Sequence, residues 1–326
     1  MLFNPPKKKA EGTAHSKIIL LGEHSVVYGK PAIALPFTSL KVTATVDTTD
    51  SSNLLIDSET FLGTIDEIPK KMRGIAACIK ETLKNLGKDE KGLRISLHSS
   101  IPIGRGLGSS AALAIAIVRG LYTYFDQKLD RKQLMRLVNI AETYAHGNPS
   151  GIDMMAASSE HPVWFQKGKE TLPVSIGAPF YLIVADTGRI GDTKSAVDSI
   201  KLNYEREPEA TRNSINLLED YTIRARDALN EGNIVLLGEL LNLAQIELDK
   251  LGVSDEGINN LVNLAQKAGA LGVKLTGGGK GGCIIALASN ANQVKEISNI
   301  LLKEGARNTW YVKVAESKKA ITSQIQ

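Results

Sequence analysis

A junction of strand, glycine-rich loop and helix constrains this chain more than any other feature. Residues 93–97 have the apolar, β-branched pattern of a strand, and residues 111–118 are an apolar run of helix formers. Between them lie Gly104, Arg105, Gly106, Leu107, Gly108, Ser109 and Ser110, leading into Ala111. Glycine reaches positive φ cheaply and admits a ligand to the backbone. Serine is a favoured N-cap and also offers a hydroxyl. The unbonded N–H groups and positive dipole end of a helix start attract anions. The loop therefore reads either as a polyphosphate cradle or as a packing turn without a ligand. It is not a Walker A loop, because no lysine separates Gly108 from Ser109. It is not a dinucleotide-binding turn, because the segment after its helix is helical again rather than a strand ending in an acid.

With 326 residues, 43% of them hydrophobic and 23% charged, the chain has material for one large or two medium globular domains. A net charge of +4 without a basic, aromatic-studded stripe argues against nucleic acid and suits small anions. Lys7-Lys8-Lys9 reads as a solvated tail. No apolar run of membrane-spanning length or secretory leader is evident. Cys78 and Cys283 are far apart and form no metal or redox motif. The expected setting is the cytoplasm, with no membrane partner.

Strands are expected at residues 17–21, 32–35 and 40–46, and the last alternates cleanly between apolar and polar positions. Residues 51–64 read as loop, and 67–86 as a helix stopped by Gly87. Asp130 is placed to cap a helix on which Glu142 falls at the edge of the apolar face. Glu142 is then either an exposed boundary residue or a metal ligand. The segment 146–153, His-Gly-Asn-Pro-Ser-Gly-Ile-Asp, reads as rigid turns without a helix. In the second half a strand at 180–185 precedes four helices, followed by strand, glycine run, strand, helix and strand. The order β-α-β-β-α-β is a split βαβ, or ferredoxin-like, arrangement. A domain boundary is expected near Pro179, giving residues 1–178 and 179–326.

Three motifs now stand in order: residues 17–29, 102–112 and 274–283. Together they resemble the GHMP-type small-molecule kinases over almost the whole chain. Within that family, Gly-Glu-His-Ser-Val-Val-Tyr-Gly at 22–29 and the 146–153 segment are most similar to the branch that acts on mevalonate, in its bacterial, Gram-positive form. The resemblance implies an α+β fold with two domains, an N-terminal ribosomal S5-like one and a C-terminal ferredoxin-like one, and an active site in the cleft between them. It also implies ATP- and Mg²⁺-dependent phosphorylation of mevalonate in isoprenoid synthesis. By position, it makes Asp153 and Lys17 catalytic and places His24, Glu23, Thr193 and Gly278 at the substrate. Gly104, Arg105, Gly106, Leu107, Gly108, Ser109, Ser110 and Ala111 are placed around the nucleotide phosphates, and Ser110 and Glu142 on Mg²⁺. Arg105 and Lys280 depart from the common pattern as extra cations near the phosphates. A homodimer is compatible with the resemblance. So are another kinase of the family, for phosphomevalonate or homoserine, and a non-catalytic sensor of the same fold. The presence of Lys17, Ser110, Glu142 and Asp153 together speaks against a sensor.

Overall fold

The computed structural model describes residues 8–147 and 149–317, so Lys7 and Asn148 of the segments above lie outside the described residues. The chain forms two compact units. One comprises residues up to Ile18 together with Ala34–His161, and the other Ile19–Ile33 together with the chain from Pro162 onward. The expected division at 178/179 is a cut along the sequence. By compactness the second unit also takes in residues 19–33, and the first two strands each run through both units.

The strands β1 (Lys9–Leu21) and β2 (Ala32–Thr48) are longer than their apolar stretches suggest. Two expected strands, 32–35 and 40–46, are the single strand β2. Pro36 inside it has no N–H to offer, but it lies outside the ladder that pairs Val42–Thr48 with a later strand. The alternation holds: Leu40, Val42, Ala44 and Val46 are all buried. Residues 51–64 are not plain loop. They contain the hairpin β3 (Leu55–Ser58) and β4 (Phe61–Thr64), anchored by buried Leu54 and Ile56. The helix expected from residue 67 begins later, as α1 (Arg73–Leu86). Pro69 forces Ile68 into extended backbone (ψ 133°), and a 3₁₀ turn at Lys70–Met72 intervenes. Gly87 ends α1 in the left-handed conformation (φ 64°), as expected.

Strand β5 (Leu93–Ser99) pairs antiparallel with β2 and parallel with β3. After the glycine loop comes α2 (Ser109–Tyr124), buried on nearly every side. Gly12 on β1 and Gly120 on α2 make this crossing possible: a Cβ on Gly12 would lie 2.1 Å from both the Ala116 carbonyl oxygen and the Gly120 nitrogen. Helix α3 (Arg131–His146) starts with the expected cap. The Asp130 carboxylate accepts from Gln133 N–H at 2.7 Å, and the Gln133 side chain reaches back in a capping box. The 146–153 segment does contain the start of a helix, α4 (Ile152–Ser158), entered through Gly151 at φ 94°.

The second unit carries the short pair β6 (Val163–Phe165) and β7 (Leu172–Pro173), then β8 (Phe180–Asp186). Four helices follow: α5 (Thr193–Arg206), α6 (Pro208–Glu231), α7 (Ile234–Lys250) and α8 (Glu256–Lys267). Then come β9 (Gly272–Thr276), β10 (Cys283–Ala288), α9 (Ala291–Lys303) and β11 (Asn308–Val314). The sheet order is β11-β8-β10-β9, every neighbour antiparallel. Numbered within this sheet, that is 4-1-3-2, the split βαβ arrangement expected from the sequence. Strands β9 and β10 are buried along their whole length. Among the described residues no helix is long and apolar enough to cross a membrane.

Candidate active site

The glycine loop delivers α2 uncapped. Neither serine is the N-cap. Gly108 takes that position at φ 73°, with no side chain closing the helix start, and Ser109 and Ser110 occupy the first turn. The first-turn N–H groups and the positive end of a 16-residue helix are thus left to an anion. Gly104 and Gly106 share the left-handed backbone (φ 72° and 74°), so the loop bends at every second residue. Arg105 and Leu107, each following one of these glycines, are buried, which fastens the loop to the unit while Gly104 remains exposed.

Lys17 lies under this loop. Its N–H donates to the Leu107 carbonyl at 3.2 Å, and its ammonium donates to the Gly106 carbonyl at 2.9 Å. The same ammonium pairs with Asp153 at 2.9 Å. The lysine is 2% exposed and the aspartate 29%, so the pair has one dry and one wet member. Asp153 sits in the first turn of α4, where the helix dipole favours an acid. Sequence reading found the residue but not this helical setting.

Glu142 is not an exposed boundary residue; it is buried, at 2% exposure. Burial, and after it the Asp153 charge, push its carboxyl above the usual range. A hydrogen bond from the Ser110 hydroxyl acts the other way, as do the more distant His146 and Lys17. The His146 ring stands 3.9 Å from Glu142. Glu142 Oε1 has no hydrogen-bond partner among the described residues. A buried carboxylate oxygen left over beside a hydroxyl matches the hard-oxygen preference of Mg²⁺. Among the described residues no group of three or more His, Cys, Asp or Glu could hold a metal. A Glu142–Ser110 set would therefore leave the remaining positions to phosphate and water.

In the second unit, the 22–29 motif forms a tight turn into a 3₁₀ helix at Ser25–Tyr28. His24 has φ 60°, a left-handed conformation that non-glycine residues rarely adopt. Its ring is buried, and Nε2 has no partner among the described residues. Burial lowers its pKa to about 4; a hydrogen bond with the Gly278 backbone opposes this and Lys274 adds to it. The ring is therefore neutral at pH 7. Glu23 forms an ion pair with Lys274 of β9, both fully buried, and Lys274 also donates to the Leu275 carbonyl at 2.6 Å. Sequence reading missed this partner, although a lysine in an otherwise apolar strand was a visible signal. Thr193 starts α5, and Gly278 is its close neighbour: a Cβ on Gly278 would lie 2.0 Å from Thr193 Oγ1. The ammonium of Lys280 donates to the Ser199 hydroxyl at 2.6 Å and the Ser195 hydroxyl at 3.3 Å, so it is engaged by α5.

The depressed His24 pKa has a thermodynamic consequence. The unfolded chain, with a histidine near 6.5, binds a proton that the folded chain rejects until about pH 4. Stability thus rises with pH across that window and is lost as pH falls through it. Between pH 7 and pH 4 this one group removes about 3 kcal/mol. Urea unfolding of wild type and His24→Asn across that range should show a shallower slope in the variant. Equal slopes would mean that His24 titrates in the fold as it does in the unfolded chain.

An uncapped glycine loop, a buried acid beside a hydroxyl, and a lysine–aspartate pair are the parts of a nucleotide-dependent phosphotransferase acting on a small molecule. The chain belongs to the GHMP kinase family: residues 72–160 match the GHMP kinases N terminal domain and residues 225–307 the GHMP kinases C terminal domain. It is 34% identical over 301 residues to a mevalonate kinase of Thermococcus sibiricus, spanning 85% of this chain and 88% of that protein. It is 33% identical over 302 residues to a mevalonate kinase of Pyrococcus horikoshii, with the same coverage. Among solved structures, the mevalonate kinase of L. major in complex with R-mevalonate is similar with a TM-score of 0.83 at 25% identity, over 96% of this chain and 99% of that one. The mevalonate kinase of methicillin-resistant Staphylococcus aureus gives 0.72 at 31% identity, over 94% and 98%.

Proposed function

We propose that this chain is a mevalonate kinase, which transfers the γ-phosphoryl group of ATP to the 5-hydroxyl of (R)-mevalonate. The observation that carries the chemistry is the Lys17–Asp153 pair, held at 2.9 Å beside the phosphate loop of its own unit. The mevalonate kinases that are 34% and 33% identical to this chain support the substrate. Asp153 orients the attacking hydroxyl and receives its proton. The new bond joins that oxygen to the γ-phosphorus as the bond to the β-phosphate bridge breaks, and ADP leaves. Lys17 opposes the negative charge of the transferred group. The loop N–H groups from Gly104 to Ala111 hold the phosphates. In the second unit His24, Thr193 and Gly278 bind mevalonate, with neutral His24 supplying a hydrogen bond, while Glu23, paired with Lys274, acts through the position of that ring. A cytoplasmic setting and a homodimer belong to the same reading and rest on the family resemblance.

Glu142 and Ser110 would hold Mg²⁺, which when bound neutralises phosphate charge. Glu142→Gln keeps size and helix propensity. It should lower turnover at limiting Mg²⁺ by at least about tenfold. A variant with the wild-type Mg²⁺ dependence would remove Glu142 from the metal.

The reading as a whole is tested by coupled ADP release with ATP and a panel of alcohols. Mevalonate should be the acceptor. Turnover of phosphomevalonate, homoserine or galactose in its place would assign another activity within the family, and no turnover at all would favour a sensor.

A further inference from the structure

We propose that Lys274 is a positioning residue for His24, acting through Glu23, where β9 and the turn after it grip the 19–24 segment at three points. Lys274, Thr276 and Gly278 follow one another at two-residue spacing. Lys274 and Thr276 lie on one face of β9, and Gly278 follows in the turn that Gly277 begins at φ 82°. Lys274 takes the Glu23 carboxylate. The Thr276 hydroxyl donates to the Ile19 carbonyl and accepts from the Ile19 N–H, both at 3.0 Å. The Gly278 backbone bonds the His24 ring. Each anchor fixes a different part of one short stretch. The stretch needs fixing, because His24 has φ 60° within it.

The turn closes its own backbone. Ser25 N–H donates to the Glu23 carbonyl at 2.7 Å and Val26 N–H to the Gly22 carbonyl at 3.0 Å, which close the backbone only. The side chain of residue 23 is directed by Lys274. A buried ion pair is a weak source of stability, since apolar replacements of similar volume are often as stable or more so. A fully buried lysine and glutamate in apolar surroundings therefore point to geometry rather than to stability. What the pair holds in place is the adjacent ring, whose Nε2 has no partner among the described residues. The consequence for catalysis rests on the proposed substrate role of His24.

The test uses the full-length enzyme. Lys274→Met alone would strand a buried carboxylate, so the informative variant is Lys274→Met with Glu23→Gln, which removes both charges and keeps both volumes. Two quantities are read: the KM for mevalonate against that for ATP, and the pH titration of the His24 imidazole by NMR, which needs no substrate. The double variant should melt close to wild type and raise the mevalonate KM about tenfold, the loss of roughly one well-placed hydrogen bond. The KM for ATP should stay unchanged. The His24 titration should move upward from about 4 toward the ordinary histidine range as the ring reaches water. In a His24→Ala background the same two changes should add nothing to the mevalonate KM, because the route through the ring is gone. A folded double variant with wild-type KM and an unmoved His24 titration overturns the proposal. A titration that moves while the mevalonate KM stays constant supports the clamp and overturns the substrate role of His24. Should the double variant fail to fold, Lys274→Met with Glu23→Met, which removes both charges and leaves neither side chain with a polar group to pair, reads the same two quantities, and each result carries the same meaning.

Discussion

Asp153→Asn lowers kcat by about 10²-fold or more, the range for loss of a general base, with a much smaller change in the KM for ATP. Asparagine keeps the size and an acceptor for Lys17 but cannot receive the substrate proton. Asp153 is partly solvated, so its removal leaves no cavity in the core. Lys17→Met keeps the buried stem and removes the cation. It should lower kcat to a similar degree and raise the KM for ATP, because the ammonium also bonds the phosphate loop through the Gly106 carbonyl. The two charges form one unit at 2.9 Å. Groups that act as a unit are strongly non-additive, so the double variant should be little worse than the poorer single one. Steady-state kinetics of all three, each with its melting curve, decide the matter. Fully multiplicative losses would mean independent roles, and an active Asp153→Asn enzyme would remove the aspartate from the reaction.

Gly108→Ala should be almost as damaging, for two reasons that reinforce each other. The residue stands at φ 73°, where a side chain costs about 1–2 kcal/mol. Its Cβ would also lie 2.8 Å from Lys17 Cγ, closer than real Cβ contacts come. The lysine stem must therefore shift, carrying its ammonium away from Asp153 and the loop carbonyl. Displacements of about 1 Å in such sites can cost about 10²-fold in rate. A built-in control separates strain from displacement. Gly87 has a similar backbone (φ 64°) but nothing within 4 Å of its Cβ position. Gly87→Ala should lower the melting temperature and leave kcat unchanged, whereas Gly108→Ala should lower both. Equal kcat in the two variants would show that Lys17 tolerates the intrusion.

What the sequence displayed follows from which signals are local. The α3 cap was legible because Asp130 and Gln133 are three residues apart and carry their partners with them. The order of the second sheet was legible because each strand has its own apolar run. The hairpin β3–β4 was not, since two four-residue strands give too little alternation to stand out from a loop. Asp153 was picked out while its helix was not, because Gly151 and Pro149 read as turn residues and α4 has only seven residues. The least legible feature was the Glu23–Lys274 pair. Its members are 251 residues apart, and no local pattern joins them. Burial of Glu142 was equally hidden, since helical spacing put it only at the rim of an apolar face.

The most direct measurement is ³¹P NMR of the product formed from Mg-ATP and (R)-mevalonate by the purified enzyme. The account predicts a phosphomonoester on the 5-oxygen, appearing in step with ADP, and almost none with Asp153→Asn. Phosphate transferred to another position, ATP broken down only to inorganic phosphate, or equal product from Asp153→Asn would contradict it.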